Sequence, residues 1–97
     1  MTGNVKRRLS SLSDEIARAR TELSILREQL AFQDGILEEA RVRMLVAETP
    51  LADREFQIAA EDHRRIERSV AEQELALAAL VGEQDRLLLA LAEREAG

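Results

Sequence analysis

The feature that most limits what this chain can become is a pair of apolar repeats that do not join. From Val5, the positions Leu9, Leu12, Ile16, Ala19, Leu23, Leu26, Leu30, Gln33, Leu37, Ala40, Met44 and Ala47 follow at alternating steps of four and three. A second series with the same rhythm runs through Ala52, Phe56, Ala59, His63, Ile66, Val70, Gln73, Leu77, Leu80, Gln84, Leu87 and Leu91. This spacing is the seam of a coiled coil, because a mean step of 3.5 residues keeps one helical stripe turned toward a partner. Continuing the first rhythm from Ala47 leads to position 51, yet the second series starts at Ala52, so the phase slips beside Pro50, the only proline.

A kinked but continuous rod would keep its phase; a chain that reverses is free to lose it. Proline has no N–H and suits the first turn of a helix, with Thr49 before it as an N-cap. The residue preceding a proline is biased away from helical dihedrals, which stops the first helix near Ala47 or Glu48. The spacing therefore predicts an all-α chain, one helical-hairpin domain over residues 1–97. Its elements are a helix over about 5–47, a turn at about 48–50 and a helix over about 50–95.

Run antiparallel, the two seams match in one register. It sets Leu9 beside Leu87, Ile16 beside Leu80, Ala19 beside Leu77, Leu26 beside Val70, Leu30 beside Ile66, Leu37 beside Ala59 and Ala40 beside Phe56. Small residues then face large ones, and Gln33 shares a layer with His63, a polar core layer expected to fix the register. The flanks bring Arg20 near Glu74, Arg27 near Glu67, Arg41 near Asp53 and Arg43 near Glu55, against one like-charge pair, Glu15 with Glu83. Exposed pairs contribute only about 0.2–1 kcal/mol each, so they select the register more than they stabilise it.

A chain of 97 residues buries only about 60–65% of the surface its unfolded form exposes, so a second chain is an expected part of the stable unit. Apolar residues off the seams point the same way: Ile25, Phe32, Ile36 and Val46 on the first helix, and Leu75, Ala79, Leu88 and Leu89 on the second. Residues 75–92 are apolar nearly all round, the pattern of a buried helix. An antiparallel homodimer that lays the turn end of one hairpin on the open end of the other would cover both sets, giving a four-helix bundle with two-fold symmetry.

Composition narrows the chemistry. A net charge of −5, with two Phe and no Trp or Tyr, does not supply the basic face and stacking platforms of a nucleic-acid binder. Lys6, Arg7 and Arg8 read as a solvated helix start. The apolar runs Leu75–Val81 and Leu87–Ala92 are far shorter than the roughly 20 residues that span a bilayer. Glu83, Asp85, Glu93 and Glu95 surround the C-terminal leucines where a membrane-surface helix prefers Lys and Arg, so no membrane partner is expected. The absence of cysteine fits a reducing cytosol, and with no apolar segment behind the basic cluster a cytoplasmic protein without a signal peptide is expected.

No catalytic, cofactor or metal site is expected. The serines have no histidine nearby in the preferred register, and Gly3, Gly35, Gly82 and Gly97 are too scattered for a phosphate-cradling loop. His63, beside Asp62 with Glu67 one turn on and Asp34 across the pair, is the one metal candidate, but the Glu-x-x-His spacing of di-iron bundles is missing because residue 60 is Ala. A register sensitive to protonation of His63 is the stronger expectation. Gly35 and Gly82 lie inside helices off the seams, where close backbone approach at a second interface would account for them.

The segment ELSILREQLAFQDGIL, residues 22–37, resembles a stretch of the helical-hairpin anti-sigma factors of actinobacteria, which bind cyclic di-GMP through a spaced series of Glu, Ser, Arg, Gln and Asp. Ser24 and Arg27 fall at the serine and arginine positions, whereas Arg20, Ala31 and Gly35 occupy the places of Glu, Gln and Asp, and the second helix carries no copy. The resemblance implies a transcriptional regulator of the anti-sigma kind and no nucleotide site. The residues themselves point to a non-enzymatic protein–protein interaction module, an adaptor, chaperone or assembly scaffold. If the seams decide the fold, replacing Pro50 with Ala leaves a hairpin; a much larger hydrodynamic radius would show that the proline decides it instead.

Overall fold

The computed structural model describes residues 2–97. It contains two helices, α1 over Thr2–Ala47 and α2 over Pro50–Ala96, packed against each other as a helical hairpin. No strand occurs among the described residues. The chain resolves into two compact units. A turn unit covers Ser24–Glu72; an open-end unit joins the residues up to Leu23 with Gln73–Gly97.

Two residues make the reversal. Glu48 adopts a left-handed backbone with φ 51°, and its N–H donates to the Met44 carbonyl at 3.2 Å. That bond is the single closing contact of an αL helix end, which satisfies one of the carbonyls left without a partner where a helix stops. Thr49 then starts α2. Its hydroxyl accepts from the Ala52 N–H at 3.2 Å, and its carbonyl accepts from the Asp53 N–H at 3.1 Å. Pro50 takes the first helical position, where a missing N–H costs nothing, and Asp53 places a negative charge in the first turn, where the helix dipole favours it.

In the open-end unit the deepest residues are Leu12, with no exposed surface, Ile16, Ala19 and Leu23, all seam positions of α1. Half-buried Leu77, Leu80, Leu87 and Leu91 of the α2 seam belong to the same unit. Gln73 interrupts that seam, yet its side-chain amide donates to the Ala19 carbonyl at 3.3 Å, so the polar group is paired rather than stranded.

In the turn unit the buried residues are Ala40, Ala52, Ala59 and Val70, with Leu26, Leu30, Leu37, Met44, Phe56 and Ile66 half-buried. Three of the four buried positions are alanines, which let the helices come close while removing little apolar area from water. Arg43 meets Glu55 across the pair at 3.7 Å, as the register requires. Arg41 departs from it: in place of Asp53 it contacts Glu38 at 3.6 Å one turn back, and its guanidinium lies 5.4 Å from the centre of the Phe56 ring. An aromatic face attracts the cation.

A glutamate is a poor occupant of the left-handed position, because its Cβ crowds the carbonyl at a cost of about 1–2 kcal/mol, partly offset by glycine's greater loss of freedom on folding. Glu48→Gly is expected to stabilise the hairpin by up to about 1 kcal/mol with no change in helix content, read from urea unfolding followed by circular dichroism. Destabilisation would show that the Glu48 side chain, and not its backbone, holds the turn.

Candidate interaction surface

Lettering each seam as positions a and d of a heptad gives the rest of the surface an address. On one side of the seam lie g and then c; on the other, e and then b. Arg43 and Glu55 are both g positions, and their contact shows that the g sides of α1 and α2 lie together. In the turn unit this c and g side carries Ile25, Phe32, Ile36 and Val46 from α1, and Leu51 and Ile58 from α2. Phe32 is 70% exposed, Val46 80% and Leu51 66%; Ile25 and Ile58 are about half exposed, and Ile36 is half-buried.

Two shallow clefts open on this side. One, of about 380 Å³ at the turn, is lined by Val46, Ala47, Leu51 and Ala52 together with Arg43 and Glu55. The other, of about 480 Å³, lies between Ile25, Gln29, Phe32, Gln33 and Ile66. On the same side Arg43 meets Glu55 and Arg65 meets Asp62 at 3.3 Å, while Glu39 and Glu72 give it a small excess of negative charge. The opposite e and b side of the turn unit is polar, holding Asp34, Glu38, Arg41, Asp53, Gln57, Arg64 and Glu67 with Leu45 as its exposed large apolar residue.

The four α1 residues singled out in the sequence thus share one face, and Leu51 and Ile58 join them. Leu51 follows Pro50, and Ile58 lies between Gln57 and Ala59, so neither belongs to a run of large apolar residues; a heptad address for every apolar residue would have found them, since both are c positions. Leu75, Ala79, Leu88 and Leu89 are all exposed in the open-end unit, but they do not gather: Leu75 and Leu89 are at f, Leu88 at e and Ala79 at c. Within the chain, therefore, the apolar stretch 75–92 is not a buried helix. At Gly35, an f position, a Cβ would meet nothing within 4 Å, so no contact within the hairpin requires glycine there.

The expected polar layer takes a different form. His63 Nε2 lies 2.5 Å from Asp34 Oδ1 and its Nδ1 3.1 Å from Glu67 Oε1. Both ring nitrogens are occupied, so the histidine has none left for Gln33. The Gln33 Oε1 is buried without a hydrogen-bond partner. Leaving a buried acceptor unpaired costs about 1–3 kcal/mol. Among the described residues, no group of three or more His, Asp or Glu side chains is arranged to hold a metal ion, and no helix is long and apolar enough to cross a membrane.

The like-charge pair Glu15 and Glu83 is resolved by an arginine. Arg8 donates from Nε and Nη2 to the two oxygens of Glu83, both at 2.7 Å, and from Nη1 to Glu15 at 3.2 Å. All three are g positions of the open-end unit. The two-pronged bond to Arg8 holds the Glu83 carboxyl below the usual carboxylate range, against a smaller opposing effect of burial, and the same bond raises Arg8 further above its ordinary value.

No protein family matches this chain, and neither a curated protein nor a solved structure is similar to it.

Because Glu83 titrates lower in the folded chain, its stabilisation is complete above the ordinary carboxylate range and disappears as pH falls through the lower, folded value. Glu83→Gln should therefore melt below the wild type near neutral pH, and the gap should close in strong acid. Melting curves that stay equally far apart at both ends of that range would rule out an ionic origin.

Proposed function

We propose that this protein is a non-enzymatic protein–protein interaction module, an adaptor, chaperone or assembly scaffold built on a coiled-coil hairpin. The observation that carries this reading is the sidedness of the turn unit. Ile25, Phe32, Ile36, Val46, Leu51 and Ile58 share one side, while the other is polar. Apolar side chains gathered on one side among polar groups mark an interaction site, because leaving them in water forfeits about 25 cal/mol for each Å² that a partner could cover. Exposed aromatic residues at such a face are the usual anchors of binding energy.

The small acidic excess on this side supports a protein partner over a polyanion or a lipid surface, both of which need an excess of Lys and Arg. A photo-crosslinking residue placed at position 32 should capture protein in cells, whereas the same residue at position 57, on the opposite side, should not. Equal capture from both positions, or none from position 32, would remove this face as the binding site.

A further inference from the structure

We infer that the occupant of the turn unit's apolar face is a second copy of this chain, docked antiparallel about a two-fold axis, with Phe32 of each copy seated in the turn cleft of the other. This rests on the reading above, that the c and g side of the turn unit binds protein.

Area is the first argument. A compact folded chain of 10.9 kDa exposes about 5,600 Å². This one exposes 7047 Å², roughly 1,400 Å² more. A stable interface needs about 800 Å² from each partner, less than this surplus, which is spread over both units.

The second argument is self-complementarity. A two-fold contact uses the same patch on both chains, so the patch must hold both a projection and a recess that fits it. The face has an aromatic knob, Phe32, and a shallow recess lined by Val46, Ala47, Leu51 and Ala52. The cleft of about 380 Å³ exceeds the roughly 150 Å³ that accommodates benzene. Fourteen residues of helix, about 21 Å, separate Phe32 from Val46. An axis crossing the helices midway, near residue 40 of α1, engages both ends of the face at once.

Charge is the third argument. Isologous docking repels when a face carries a surplus of one sign; here Arg43 with Glu55 and Arg65 with Asp62 neutralise each other, and a negative surplus rests on Glu39 and Glu72. The same axis sets Glu39 level with position 41 of the second copy, beside that copy's Arg43. On α2 it brings the two Ile58 side chains together near the axis, so the centre is apolar on one helix pair and charge-matched on the other.

This arrangement overlaps turn unit with turn unit and differs from one that lays the turn against the open end, where the exposed apolar residues point in several directions. The chain has no cysteine, so single-cysteine variants report proximity cleanly. Sedimentation equilibrium of the full chain at micromolar concentration should give twice 10.9 kDa. Ile58→Cys should oxidise to a cross-linked dimer while Ile25→Cys does not. Phe32→Asp, and separately Phe32→Ser, should raise the dimer dissociation constant at least about tenfold with helix content unchanged.

Four results would overturn the inference: a wild-type monomer, cross-linking through Ile25→Cys in place of Ile58→Cys, a dimer indifferent to both Phe32 substitutions, or loss of helix content in both. A wild-type monomer that still captures other proteins from position 32 overturns the second copy and leaves the interaction module standing. A monomer that captures nothing from position 32 removes both.

Discussion

Everything else in this protein depends on a closure of two residues between two helices. Glu48 turns left-handed to end α1, and Thr49 caps the start of α2 with its side-chain oxygen. Each group satisfies backbone atoms that a helix end leaves unpaired, so the chain can stop and restart without an intervening loop. Restarting so soon puts the second seam opposite the first, and it also sets sidedness. Once α2 runs back along α1, the g positions of both helices fall on the same side, and Arg43 meets Glu55 there. Reversal in this register puts Ile25, Phe32 and Val46 on the same side as Leu51 and Ile58.

The core thus formed is thin. Among the described residues eight apolar ones are buried, of which Ala19, Ala40, Ala52 and Ala59 are alanines, and the side chains of the turn unit larger than Val70 remain partly open to water. A two-helix pair buries one stripe from each helix, and its stability rises with little beyond that stripe. An unpaired Gln33 carbonyl oxygen within the turn unit is a further cost. The same shortage explains why apolar residues stand outside: there is no third layer to receive them, and a partner protein supplies one in the proposed function.

Polar side chains act here mainly as selectors. Arg8 between Glu15 and Glu83 converts a repulsion into a network of three charges, and its short two-pronged bond is geometrically demanding. His63 is tied to Asp34 across the pair and to Glu67 along its own helix. The contacts across the pair, Arg8 with Glu83 and His63 with Asp34, form in one alignment of the helices and are lost on sliding by a heptad. Energetically such partly exposed contacts are small; their effect is to make one register better than its neighbours.

The seams, the phase slip and the Thr-Pro start were legible in the sequence because each is a local or strictly periodic property. A step of 3.5 residues repeats without regard to distant neighbours, and a proline without an N–H fits the first turn of any helix. Every seam residue of α2 is buried or half-buried, as periodicity alone required. Decisions by atoms distant in the chain were not legible. Arg8 reaches Glu83 and neutralises a conflict that spacing pairs Glu15 into; among the neighbours that spacing does give His63, the ring takes Asp34 and Glu67 and not the amide of Gln33; Arg41 turns to the Phe56 ring. Side-chain length and rotamer decide these, and neither has a period. By itself, then, the sequence determined a helical hairpin and its stripe of burial, through backbone geometry. The tertiary structure decided which side chains satisfy one another and which apolar residues share an open face, because that depends on how two separate helices are turned about their axes.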